Sequence, residues 1–382
     1  MPPEFADVLI VGGGPTGAAL TLALRNSGLD VVLLEAKECL SSDPRPLALS
    51  YGSRLILERL GVWAQVAAPT PILSIHVSQR GGFGCSVLNA SHADVPALGY
   101  VVSYGELQSA LQNNLTGCFR GATVLRIESG EEAARAEFSY LGSMRQVTAK
   151  LLVIAEGGRG LEGVEGVTQR EKDYHQSAVV TQVVSRLLHC NVAYERFTPQ
   201  GPIALLPFGE KLALVWTTGP HVADMLCGLN DTLFLQRLHQ HFGDRLGGFT
   251  ETGRRVSFPL KLRYATTPTM PRTVILGNAA QTLHPVAGQG FNLGLRDSWE
   301  LSEIILRSDE QQLGTSEMLR TYRARRRLDR YGGIFFTDTL LTLFSSDSAP
   351  LRAVRGFGLA ALDALPSAKR FLMRRMIFGA RG

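Results

Sequence analysis

The chain has 382 residues, 45% of them hydrophobic, with 40 glycines and a formal net charge of +5. That is enough apolar material for one large composite domain or about two domains, and it excludes collagen-like, low-complexity and intrinsically disordered chains. Five cysteines are scattered without a CxxC pair or a Cys/His cluster, which excludes zinc-finger and dithiol-redox classes, implies no metal, and fits a reducing compartment.

In chain order, Asp7–Val11 reads as a short buried strand. It runs into Gly12-Gly13-Gly14-Pro15-Thr16-Gly17, which satisfies G-x-G-x-x-G, and a helix is expected over Ala18–Arg25 with Gly28 ending it. A second strand, Asp30–Leu34, is closed by Glu35. The physics of dinucleotide binding asks for each part. Gly12 turns the chain sharply, Gly14 lets backbone approach a pyrophosphate, and Gly17 lets helix and strand pack closely. Glu35 suits a ribose diol and would repel a 2′-phosphate.

Downstream, Thr273–Leu276 is a third strand signal. It leads into Gly277-Asn278-Ala279-Ala280-Gln281-Thr282-Leu283-His284-Pro285 and then Val286-Ala287-Gly288-Gln289-Gly290-Phe291-Asn292-Leu293-Gly294, with a helix expected over Leu295–Arg307. Amides at such a loop-to-helix start suit a ring that gains negative charge on reduction. An arginine-rich stretch, Arg320–Arg330, is expected on a helix as a solvated face. The last helix should gather Leu372, Met373, Met376 and Ile377 on one side. No signal peptide is expected, and no run of about 18 apolar residues occurs, so the chain reads as cytoplasmic or peripheral on the inner face of the membrane.

The segment from Gly277 to Gly294 resembles the downstream FAD fingerprint of the flavoprotein aromatic hydroxylases related to p-hydroxybenzoate hydroxylase. Its wording is closest to the ubiquinone-biosynthesis hydroxylases, and within them to the 2-octaprenyl-6-methoxyphenol hydroxylase branch. Other stretches agree. Asp43-Pro44-Arg45-Pro46-Leu47-Ala48-Leu49-Ser50-Tyr51-Gly52-Ser53 resembles the family's arginine-bearing segment, Leu151–Gly157 its middle fingerprint, and Gly201–Pro207 with Leu214–Thr217 its central substrate-domain sheet.

The resemblance implies an α/β (α+β) fold. A Rossmann-like FAD domain would be built from 1–70, 100–175 and 265–330, with an inserted mixed or antiparallel-sheet substrate domain (71–99 and 176–264) and a C-terminal helical segment over 331–382. It implies FAD as cofactor, NAD(P)H as reductant and O2 as co-substrate, with oxygen transfer from a flavin C4a-hydroperoxide to a polyprenylated methoxyphenol. The cofactor-binding positions it implies are Gly12, Gly13, Gly14, Pro15 and Gly17 at the pyrophosphate, Glu35 at the adenosine ribose and Arg45 at the phosphates. Gly277 and Asn278 would lie at the ribityl chain, and Pro285, Gly288, Gln289, Gly290 and Asn292 beside the isoalloxazine. His284 is the one candidate for a catalytic residue, against a reading in which it only shapes the His-Pro turn.

The chain departs from the family at Glu156-Gly157 for Asp-Gly, at Asn278 for Asp, at Tyr104 for an arginine and at Gly158-Arg159-Gly160. Two alternatives stay open: a flavin oxygenase or dehydrogenase acting on another phenol or isoprenoid, and a flavin-free scaffold of the biosynthetic complex. The expected contacts are with the membrane surface and with other ubiquinone-biosynthesis proteins, not with nucleic acid.

Overall fold

The apolar run at the N-terminus folds as foreseen, into a strand whose Leu9 and Ile10 are fully buried. Burial of each such side chain contributes about 1.5–3 kcal/mol. The structure, a computed structural model, describes residues 1–39, 43, 45–157, 164, 166–285, 288–345 and 348–380, without the side chains of residues 345 and 349. Pro44, Gly158-Arg159-Gly160, Val286-Ala287 and the terminal Arg381 lie outside the described residues.

Among the described residues the strands form three sheets. The first has a parallel core in the order Thr273–Ile275, Ser143–Ile154, Phe5–Val11, Val31–Glu35, Cys118–Arg120. Helix α1 (Pro15–Leu24) crosses from the first strand to the second with Pro15 opening it, a position where the missing N–H costs nothing. Helix α2 (Tyr51–Arg59) follows a small antiparallel sheet of Pro46–Ser50, Gly99–Ser103 and Thr70–Ile72, and α3 (Tyr104–Gln112) leaves that sheet to pack against α1.

The largest sheet has the order Gln281–Thr282, Val256–Ala265, Gln169–Ser185, Lys211–Thr218, Ile203–Phe208, Val192–Phe197, Ser74–Gln79, Cys85–Asn89. Helices α4 (Pro220–Gly228) and α5 (Asp231–Phe242) cover one face of it through Leu226, Phe234 and Leu238. The boundary suggested at 175/176 falls inside a single 17-residue strand, Gln169–Ser185, which pairs with Val256–Ala265 from Gln169 to Val180, with a bulge between Asp173 and Gln176. One continuous strand therefore carries the substrate sheet back toward the first sheet.

The chain then returns through α6 (Gly277–Ala280), α7 (Gln289–Ile305) and α8 (Ser316–Ser345), and ends in α9 (Ala349–Ala364) and α10 (Pro366–Phe378). Two expectations are corrected here. Helix α7 begins at Gln289 rather than Leu295, and takes in Gly290 and Gly294, which the sequence suggested were loop glycines. Position 294 is a glycine inside the helix because α7 crosses Gly277 and Thr16 so closely that a Cβ there would lie 3.1 Å from both. The second correction concerns the arginine run. Arg326 and Arg330 are buried at 4% exposure rather than solvated, because Asp297 and Asp329 pair with the first and the Ala265 carbonyl accepts from the second.

Candidate active site

Where the parallel strands end at Val11, Glu35 and Ile154, the next residues line a cleft of about 550 Å³. This is the crevice at the carboxyl ends of a parallel sheet where doubly wound folds bind ligands. The glycine turn out of the first strand forms one wall. Gly12 has φ +104°, and a Cβ there would sit 2.7 Å from the Glu156 backbone. A Cβ on Gly17 would sit 2.0 Å from the Gly12 carbonyl oxygen. Both must be glycine for packing alone. Gly14 differs: a Cβ on it would meet nothing within 4 Å, and it faces the cleft together with Pro15.

Gly13 fixes the neighbouring acid. Its N–H donates to Glu35 Oε2 at 2.6 Å, and Lys37 N–H donates to Glu35 Oε1 at 2.8 Å, so the carboxylate is held at the rim of the cleft. The Gly13 carbonyl accepts from the buried Gln112 amide, whose oxygen in turn accepts from Arg120 at 2.9 Å. Burial, and then the negative charge of Glu35, pushes the Glu156 carboxyl above its usual range.

The far wall comes from the downstream fingerprint. Gly277 is left-handed, with φ +57°, and a Cβ on it would lie 2.8 Å from the Thr16 hydroxyl. The Gly277 N–H donates to Asp297, which also accepts from Gln281 and from Arg326. Asn278 is exposed and lines the cleft, as does Gly290, where a Cβ would again meet open space. The structure thus brings Gly12, Gly14, Pro15, Glu35, Arg45, Asn278 and Gly290 onto one cleft.

Other candidates fall elsewhere. Asn292 is buried with its amide saturated: the oxygen accepts from Ser50 N–H at 2.8 Å and the Ser53 hydroxyl at 2.7 Å, while the nitrogen donates to the Ala48 and Gly288 carbonyls. It ties the start of α7 to the strand bearing Ala48. Gly288, left-handed at φ +59°, begins α7 with its Cβ position 3.2 Å from Ala48. Pro285 is exposed, and Gln289 lines a separate small cavity. His284 is buried edge-on against the Tyr174 ring at 5.5 Å, and burial lowers its pKa to about 4. A neutral imidazole in that setting packs the turn and carries no charge at neutral pH.

Arg45 makes a bidentate pair with Asp43 through Nε and Nη2, and its guanidinium lies 5.7 Å from the centre of the Tyr104 ring and 5.5 Å from that of Phe258. Tyr104 thus offers Arg45 a ring that supports its guanidinium. Burial raises the Tyr104 pKa, so it stays protonated. Arg45 also borders a second cavity of about 550 Å³ facing the substrate sheet.

Sequence reasoning missed Gln108, Gln112, Thr16 and Asp297. The signal was available in part. Gln108 and Gln112 stand four apart on α3, and Asp297 is an acid among the apolar positions of α7. Gln108 is 8% exposed, lines the cleft, and its carboxamide oxygen meets no donor among the described residues. A buried acceptor left without a donor costs about 1–3 kcal/mol, which a ligand hydroxyl would recover. Open space at Gly14 and Gly290, amides at the start of α1 and this acceptor all fit an extended dinucleotide with a polyhydroxyl chain.

The comparisons agree. The FAD binding domain family matches residues 5–330. The chain is 34% identical to ubiquinone hydroxylase UbiL of Rhodospirillum rubrum, covering 97% of this chain and 89% of that protein. It is 30% identical to 3-demethoxyubiquinol 3-hydroxylase of Escherichia coli, covering 95% and 96%. Among solved structures, p-nitrophenol 4-monooxygenase PnpA of Pseudomonas putida shares the fold over the full length of both chains, with a TM-score of 0.79 at 19% identity. A glycine turn, the acid Glu35 at the rim and the loop after the left-handed Gly277 thus meet on one cleft in a chain that belongs to the FAD binding domain family of flavoprotein monooxygenases, with the ubiquinone-biosynthesis hydroxylases among its relatives.

Proposed function

We propose that the protein hydroxylates a polyprenylated methoxyphenol on the route to ubiquinone, using NAD(P)H and O2 with its FAD. The observation that carries this reading is the single cleft bounded by both fingerprints, with open space where a cofactor needs it and glycines where packing needs them. When bound, the flavin supplies the redox chemistry that places one oxygen atom of O2 on the ring. The protein's own residues bind and orient. Gly12, Gly14 and the start of α1 would take the pyrophosphate, Glu35 the adenosine ribose, Gln108 and Asn278 the ribityl hydroxyls, and Gly290 would face the ring. Arg45 borders both this cleft and the second cavity, which gives a reductant a place beside the flavin without a second fingerprint.

The scaffold alternative expects a cleft that has filled in. Open space at Gly14 and Gly290 argues against it. No described helix is long and apolar enough to cross a membrane, so contact with a bilayer-resident substrate would be made from the surface. Exposed Phe335, Val354, Phe357 and Phe371 on the C-terminal helices, with Arg370 and Arg374 beside them, support such contact. The test is the visible spectrum of the purified protein with chromatography of released cofactor, followed by assay of methoxyphenols with NAD(P)H. Flavin absorbance, FAD in the released fraction and a product heavier by one oxygen are expected. A colourless protein that takes up no added FAD would overturn the reading.

A further inference from the structure

Beside the flavin loop lies a second, smaller space that the cofactor reading does not use. It is an apolar channel of about 70 Å³ between Ile75 and Leu88 at the edge of the substrate sheet, Leu98, and Met373 and Met376 of α10. Its inner end reaches Gln289, while the adjacent Gly290 lines the FAD cleft, so one turn of backbone separates the two spaces. None of the residues lining the channel is ionisable. The larger cavity at Arg45, by contrast, is lined by Asp43, Lys211, Glu251 and Arg254 as well, and hydrocarbon there would strip water from charges. The polar side chains in the lining are Ser50, Gln289 and Asn292; the Asn292 amide is already saturated and the Ser50 hydroxyl is bonded to Ser53, so covering these two with hydrocarbon leaves neither unpaired.

We propose that this channel takes the hydrophobic tail of the phenol substrate and that α10 is its movable wall. The proposal rests on the hydroxylase reading above and adds where the tail goes and which residues select it. At about 70 Å³ the channel is far below the roughly 300–1,000 Å³ of an occupied small-molecule pocket, so a long tail enters only if a wall shifts. The other walls are strands held in ladders and the start of α7. Helix α10 is instead joined through the exposed Leu365–Pro366 elbow and has no backbone ladder to its neighbours: Lys369 reaches Asp363 at 2.7 Å, the Ala380 N–H donates to Asp329, and Met373 and Ile377 pack on Leu88, Ala90 and Leu98 through side chains. Its channel face carries two methionines, unbranched side chains that repack around varied hydrocarbon. Its outer face carries Arg370, Phe371 and Arg374, so the channel wall and the apolar surface are two sides of one helix.

The test compares two ligands on the FAD-loaded protein: a methoxyphenol bearing a methyl group and the same ring bearing a decyl chain. Each buried methylene is worth about fourfold in affinity, so the decyl compound should bind at least a hundredfold more tightly. It should also change amide hydrogen exchange across 366–378, which the methyl compound should not. Met376→Trp from one side and Ile75→Trp from the other should each remove most of that preference, leaving the methyl compound within about twofold. Equal effects on both ligands, or α10 exchange indifferent to tail length, would overturn the proposal. Should both variants fail to fold, exchange in the wild-type protein decides alone. Tail-dependent binding without hydroxylation of either compound would fail the hydroxylase reading and leave the channel standing; hydroxylation without any tail effect would do the reverse.

Discussion

Gly14 and Gly17 stand three residues apart and should respond in opposite ways to the same substitution. In Gly17→Ala the new methyl would lie 2.0 Å from the Gly12 carbonyl, so α1 must lift off the first strand. Overpacking of this kind costs about 1–3 kcal/mol, to be read from urea unfolding of the apoprotein. Gly14→Ala places its methyl in open space at an extended backbone angle, and apoprotein stability should move by less than about 0.5 kcal/mol. Its FAD affinity should nevertheless fall at least tenfold, because the methyl occupies the space assigned to the pyrophosphate. An unchanged affinity would remove that assignment. His284 makes a second prediction at this scale. Its folded pKa of about 4 lies below the ordinary 6.5, so the unfolded chain binds the proton first as pH falls. Stability is therefore intact above pH 6.5, declines between 6.5 and 4, and the loss saturates below 4 at about 3 kcal/mol. His284→Gln should flatten that part of the pH–stability curve. An identical slope in the variant would show that another group is responsible.

Elements are joined around one acid. Asp297 on α7 accepts from Arg326 on α8, from Gln281 and from the Gly277 amide, and Arg326 also reaches Asp329, whose carboxylate takes the Ala380 amide beyond α10. The flavin-side turn at Gly277 and the C-terminal helices are thus set by the same buried pair. Burial alone would lower the Arg326 pKa, and the carboxylates of Asp297 and Asp329 overcome it, so the guanidinium stays charged. Asp297→Asn removes one of the two carboxylates facing that charge, leaving Asp329 as its remaining acidic partner, and should cost about 1.5–3 kcal/mol in urea unfolding. Adding Arg326→Met should restore much of it, since an apolar side chain needs no partner there. If the double variant is no more stable than the single, the cost arises from the Gly277 turn instead.

On the scale of the whole molecule, apolar side chains are left exposed on α8, α9 and α10, helices that also carry arginines, and α10 is the one of the three that walls the tail channel. The protein should sediment with vesicles containing anionic lipid and less with neutral ones, and salt should weaken the difference. Arg370→Ser and Arg374→Ser should each lower partitioning by about fivefold, following roughly 1 kcal/mol per basic residue near such a surface. Phe357→Ser with Phe371→Ser should lower it on both lipids. Equal sedimentation of wild type and all variants would leave these side chains without a membrane role.

Residue order alone specified the parallel dinucleotide-binding sheet and the FAD family, and it named seven of the residues that line the cleft: Gly12, Gly14, Pro15, Glu35, Arg45, Asn278 and Gly290. Strand, glycine turn, helix and acid follow one another within Asp7–Glu35, and each is specified by local backbone chemistry. What it could not determine depends on atoms far apart in the chain. Gly294 leaves room for Gly277 and Thr16 to press against α7, and the Asn292 amide ties α7 to Ser50 and Ala48. Arg326 and Arg330 left the solvated face that their charge suggested because Asp297, Asp329 and a carbonyl waited inside. Periodicity could gather Met373 and Met376 on one face of a helix, but only the tertiary structure brought that face against a sheet edge and the flavin loop, where hydrocarbon finds no charge to desolvate.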